Sequence, residues 1–107
     1  MIRAEFYESQ GKFKGFSICG HAGYADSGYD IVCAAVSSAV EMTANLITDG
    51  FNIPADVSSK NGEILCEVDS PDENSDRIIK MLSLHLGFIS EEFPNTITIT
   101  NTEFSEV

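Results

Sequence analysis

The sequence predicts an α+β domain: a two-layer sandwich, with a mostly antiparallel four-stranded sheet and two helices on one face. Three observations carry this. Four segments alternate apolar and polar residues at the period of a strand, and two segments repeat at helical steps of three and four. The segments follow one another as β-β-α-β-α-β, with no repeat, linker or low-complexity stretch between them. The 107 residues fit one domain, residues 1–107, and 43% hydrophobic residues suffice for a core.

The first strand is "IRAEFYE": Ile2, Ala4 and Phe6 point one way, Arg3, Glu5 and Tyr7 the other. "SQGK" reads as a turn, and "FKGFSIC" as the second strand, with Phe16 and Ile18 on one face and Ser17 and Cys19 on the other. From Asp30 the period changes. Ser38, Glu41, Asn45 and Thr48 form one polar stripe, so "IVCAAVSSAVEMTANLI" reads as a helix buried around most of its girth. Asp30 is the expected N-cap, and Asp49-Gly50 the expected stop, with Gly50 left-handed.

"GEILCEV" alternates again, with Ile64, Cys66 and Val68 on one side. Ser70, Pro71 and Glu73 then have the spacing of a capping box. Behind them Ile78, Leu82, Leu86, Ile89 and Phe93 mark an amphipathic helix that ends at Pro94-Asn95. "TITIT" is the last strand, with Ile97 and Ile99 inward and threonines on a wet face. "NTEFSEV" is expected to fray.

Net charge is −11, from 17 acidic and 6 basic residues. Such a field repels phosphate backbones, so direct nucleic-acid binding is not expected, and a basic protein partner would be attracted. The N-terminus lacks an apolar signal-peptide core, and the longest unbroken apolar run is Ile31 to Val36. That is far short of the roughly 20 residues of a membrane span, so no membrane association is expected. A cytoplasmic location follows, with Cys19, Cys33 and Cys66 as free thiols.

The chemistry centres on "GHAGYADSGYDIVCAAVSS", Gly20 to Ser38. With Asp30 as N-cap, Cys33 is the third helical residue, where free N–H groups and the helix dipole favour a thiolate. The N–H groups near Cys33 and Ala34 would then hold an oxyanion. The charge of Asp30 opposes that effect, and on position alone Cys33 reads equally as a small core residue. His21 closes the second strand after Gly20, which permits a turn or a close backbone approach. From there it would accept the Cys33 proton, although a surface histidine is the plain alternative.

Between them Ala22, Gly23, Tyr24, Ala25, Asp26, Ser27, Gly28 and Tyr29 read as a lid-like loop or an ordinary connection. Ser37 lies one helical turn beyond Cys33 and presents a hydroxyl on the same face. Cys66 reads as core and His85 as structural. Cys19, His21 and Cys33 supply only three zinc ligands, without paired spacing, so no metal and no cofactor is expected.

Gly20-His21-Ala22, the acid- and glycine-rich loop and "DIVCAAVS" closely resemble the signature of the ribosomal-processing cysteine protease family, Prp. The resemblance covers essentially the whole chain. It implies that His21 is the catalytic histidine and Cys33 the nucleophile, with Asp30 and Ser37 at the site. It also implies a homodimer that removes the N-terminal extension of the large-subunit ribosomal protein numbered twenty-seven, cutting after an aromatic residue. That precursor is strongly basic, which gives the acidic surface a steering role. The rival expectation is a non-catalytic module that docks a basic ribosomal segment during assembly.

Overall fold

The structure, a computed structural model, describes residues 1–20 and 27–104, apart from the side chains of 27–30 and 104. Among the described residues there are five strands and two long helices: β1 (Ile2–Ser9), β2 (Lys12–Cys19), α1 (Ser27–Asn45), β3 (Ala55–Lys60), β4 (Glu63–Val68), α2 (Glu73–Glu92) and β5 (Ile97–Phe104). The strand order is β3-β4-β2-β1-β5. Every neighbouring pair is antiparallel except β1 and β5, which run parallel with Ile2 opposite Ile97. The α+β class and the antiparallel character stand as expected, but the sheet has five strands, not four.

The two tight hairpins have one cause. Gln10 and Gly11 both take positive φ between β1 and β2, and so do Asn61 and Gly62 between β3 and β4. Two consecutive left-handed residues make the turn whose twist matches that of paired strands.

The alternation in the strands sorts residues as the sequence indicates. Ile2, Ala4, Phe6, Phe16, Ile18, Cys66, Val68 and Ile97 are buried beneath the helices. Thr98 and Thr100 are exposed on the opposite, open face. Phe6 lies edge-on to Phe13, with ring centroids 6.0 Å apart. α1 contributes Val32, Val36 and Val40, and α2 contributes Ile79, Leu82 and Leu86. Fully burying side chains of this size contributes about 1.5–3 kcal/mol each.

The helix ends differ from expectation. α2 is capped by Asp72, not by Ser70. The Asp72 carboxylate accepts from the Ser75 N–H at 2.9 Å, and the Ser75 hydroxyl accepts from the Asp72 N–H at 2.9 Å. Serine can thus play the part of Glu at the third position, and the cap moves two residues on. The Asp76 carboxylate accepts from the Phe13 N–H at 2.7 Å and ties α2 to the first hairpin.

α1 passes into a π-helical turn, Leu46–Gly50, closed by the Phe51 N–H donating to the Leu46 carbonyl. The left-handed residue after it is Asn52, with φ 53, rather than Gly50. β5 continues to Phe104, so the segment expected to fray is partly strand, held by its parallel pairing to β1.

Ile31–Gly50, with mean hydropathy 1.5, is long and apolar enough to cross a membrane by length and composition. Counting unbroken runs misses this, because isolated polar residues interrupt the segment without making it hydrophilic. Val32, Val36, Val40 and Ile47 of this segment are buried against the sheet, which makes it the core helix of the domain. It is not buried around most of its girth. Ile31, Met42 and Leu46 are exposed, as are Met81, Leu84 and Phe88 on α2.

Candidate active site

β2 ends at Cys19, and Gly20 follows with φ +86. A Cβ there would sit 2.5 Å from the Met1 carbonyl oxygen. Glycine is therefore required twice over, for the left-handed turn and for the approach of the N-terminal backbone. Both roles anticipated for Gly20 occur together. His21, Ala22, Gly23, Tyr24, Ala25 and Asp26 lie outside the described residues.

The chain re-enters in α1. Ser27, Gly28 and Tyr29 are helical rather than part of a loop, and Asp30 is the fourth residue of the helix rather than its cap. Cys33 is consequently the seventh helical residue. Only the first turn of a helix has unpartnered N–H groups, so those of Cys33 and Ala34 are committed to helix bonds. The expected oxyanion hole at those two groups is thereby corrected. Sequence placed the cap at the acid before the apolar run, whereas the helix starts on the preceding small residues. Ala34 is exposed on α1.

Cys33, Val36, Ser37 and Val40 fall on one stripe of α1 and form one wall of a cleft of about 340 Å³. Ile2, Ile18 and Ile64 line it from the sheet, and Gly20, Asn61 and Gly62 complete the lining. The structure thus brings Gly20, Cys33 and Ser37 to one place. The sequence reading missed Asn61, Gly62 and Ile64. Asn-Gly is a strong hairpin signal, and read as such it would have put this turn, with a strand before it, beside the third predicted strand.

The other thiols lie elsewhere. Cys66 is fully buried on the core face, and burial pushes its pKa up to about 11. Cys19 pairs with Arg3 on the open face and lines a cleft of about 360 Å³ with Glu5, Tyr7, Ser17 and Glu63. Burial first, and then Glu5, raise the Tyr7 pKa there. Cys19 and Cys33 therefore occupy opposite sides of the sheet and do not converge on one ion. His85 is exposed, in a second groove of about 490 Å³ between α1 and α2, lined by Met42, Leu46, Ile78 and Met81.

A half-buried thiol in a half-apolar cleft, with a serine hydroxyl one turn away, is suited to nucleophilic attack on a bound carbonyl. Residues 1–98 match the family described as cysteine protease Prp. The fold is similar to that of the essential ribosomal processing protease Prp from S. aureus in complex with a substrate peptide. That match has a TM-score of 0.85 and 23% identity, covering 95% of this chain and 100% of the other. The same S. aureus protease with a covalently linked product peptide gives 0.83 and 24%, over 95% and 100%. SMU.848 from Streptococcus mutans gives 0.78 and 24%, over 97% and 96%. Among curated proteins, none matches the chain.

Proposed function

The chain belongs to the cysteine protease Prp family, and from that premise we propose that it removes the N-terminal extension of the large-subunit ribosomal protein numbered twenty-seven, cutting after an aromatic residue. The observation that carries this is the placement of Cys33. Of the three cysteines it alone opens into the cleft between the helix layer and the sheet.

Cys33 Sγ attacks the scissile carbonyl carbon while His21 takes the thiol proton. The tetrahedral intermediate collapses, His21 protonates the departing amine, and a thioester remains. Water, deprotonated by His21, then attacks the thioester. The new carboxylate leaves, and the Cys33 thiol is restored. The Ser37 hydroxyl donates to the oxyanion, a role the helix N–H groups cannot take.

The protein acts in the cytoplasm as a homodimer, and its acidic surface draws in the basic precursor. The exposed apolar residues Met42, Leu46, Met81, Leu84 and Phe88 on the helix layer are the surface a second copy would cover. Introducing charge there, as Met42→Glu with Met81→Glu, should yield monomers by analytical ultracentrifugation if that surface is the interface.

The direct test is incubation with the precursor and mass analysis of the products. One cut after an aromatic residue, lost in Cys33→Ala, is expected. Binding without cleavage would overturn the proposed reaction in favour of docking.

A further inference from the structure

The cleft has a composition that its catalytic use does not require. Its five apolar lining residues, Ile2, Ile18, Val36, Val40 and Ile64, are all β-branched. Such side chains are stiff at χ1, so they build a slot of fixed shape rather than one that adapts. No charged side chain lines it among the described residues. A charged substrate side chain would lose its hydration there without a partner.

The slot is also long enough. Cys33 and Val40 are seven residues apart on α1, about 10 Å along the axis at 1.5 Å per residue. A phenyl ring is shorter than that span, so one entering beside Cys33 would lie against Val36 without reaching Val40. A volume of about 340 Å³ accommodates a single ring.

The lining residues differ in burial. Ile2, Ile18, Val36 and Val40 are almost wholly buried and belong to the core. Ile64 is only partly buried. It sits on β4 directly opposite Ile18 of β2, two residues past the Asn61–Gly62 turn. Its size can therefore change the slot without opening the core.

We propose that Ile64 is the residue that selects the side chain before the scissile bond, shaping with Ile18 and Val36 a rigid slot for an aromatic ring. This rests on the reading that the chain cuts after an aromatic residue.

The test uses peptides spanning the extension's cut site, with Phe, Trp, Leu, Ala or Lys before the bond, and compares kcat/KM. The wild type should favour Phe. Ile64→Phe fills the slot and should lower the Phe-to-Ala ratio by about tenfold or more, the scale on which apolar pockets discriminate. Ile64→Ala should raise the rate for Trp relative to Phe. Thermal melts check folding, and if Ile64→Phe does not fold, Ile64→Ala carries the test. Cleavage after Phe with both ratios within about twofold of wild type would overturn the role of Ile64 alone. A wild type that cuts no peptide in the set would overturn the proposed cleavage and this inference together.

Discussion

The Cys66 thiol should be nearly inert at neutral pH, and its titration should be written into the stability of the fold. With a pKa near 11, about one Cys66 in 10⁴ is ionised at pH 7. A free thiol at the reference value of about 8.5 is about 3% ionised, roughly 300-fold more. The more basic thiolate is intrinsically the better nucleophile, which returns about tenfold over this difference. The net is about 30-fold slower alkylation, before the loss of access at a fully buried site is counted. Iodoacetamide at pH 7, followed by peptide mapping, should therefore modify Cys66 last.

The sign of the stability effect is also fixed. The folded pKa is raised from 9.0 to about 11, so the contribution of the protonated thiol is complete below pH 9 and is lost as pH climbs to 11. Two pH units at about 1.4 kcal/mol each give about 2.7 kcal/mol. Urea unfolding of the wild type and Cys66→Ala, from pH 7 to 11, isolates this thiol from the tyrosines and lysines that titrate alongside it. The stability difference should be flat to pH 9 and then shrink by about that amount. A difference that stays constant to pH 11, or a Cys66 alkylated as fast as Cys33, would refute the assignment of Cys66 to a dry core.

Other substitutions have defined outcomes. Gly20→Ala places a Cβ 2.5 Å from the Met1 carbonyl at φ +86. It should destabilise by about 2 kcal/mol or more, read from the denaturant midpoint. Asp72→Ala removes the α2 cap and should lower stability by about 1 kcal/mol, with amide exchange fastest around Ser75. Phe16→Ala opens a hole at a fully buried position and should cost about 3–5 kcal/mol in a thermal or denaturant melt. Ser37→Ala should leave the melt unchanged and lower kcat by about 10²-fold, with a smaller effect on KM, if its hydroxyl serves the oxyanion.

Most of the sheet was legible because burial on one face imposes alternation. Ile2/Ala4/Phe6, Ile64/Cys66/Val68 and Ile97/Ile99 each declare a strand and its inward side. β3 was not legible in this way. Ala55 is partly buried and the other five residues are exposed, since an edge strand has little core to face. Only the Asn61-Gly62 turn betrays it. The pairing of β5 with β1 was likewise silent, because register across 95 residues leaves no local pattern.

At the site, Cys33 and Ser37 could be placed together from helical spacing alone. The wall opposite them, Asn61, Gly62 and Ile64, was signalled only by the Asn-Gly turn, and its place across from Cys33 came from the fold. The start of α1 was misplaced because Asp30 is a good cap by type, and the residues before it carry no helical periodicity.

The parallel pairing of the first strand with the last bears on how the protein is made. During synthesis β1 and β2 emerge early and can close their hairpin locally. The outer edge of β1 then has no partner until residues Ile97 to Phe104 follow, since Ile2 pairs with Ile97. Such late, long-range closure is slow and leaves apolar strand surface open to aggregation. The sheet is completed only once the final strand has left the ribosome, so a nascent chain stalled before β5 should remain protease-sensitive and chaperone-bound.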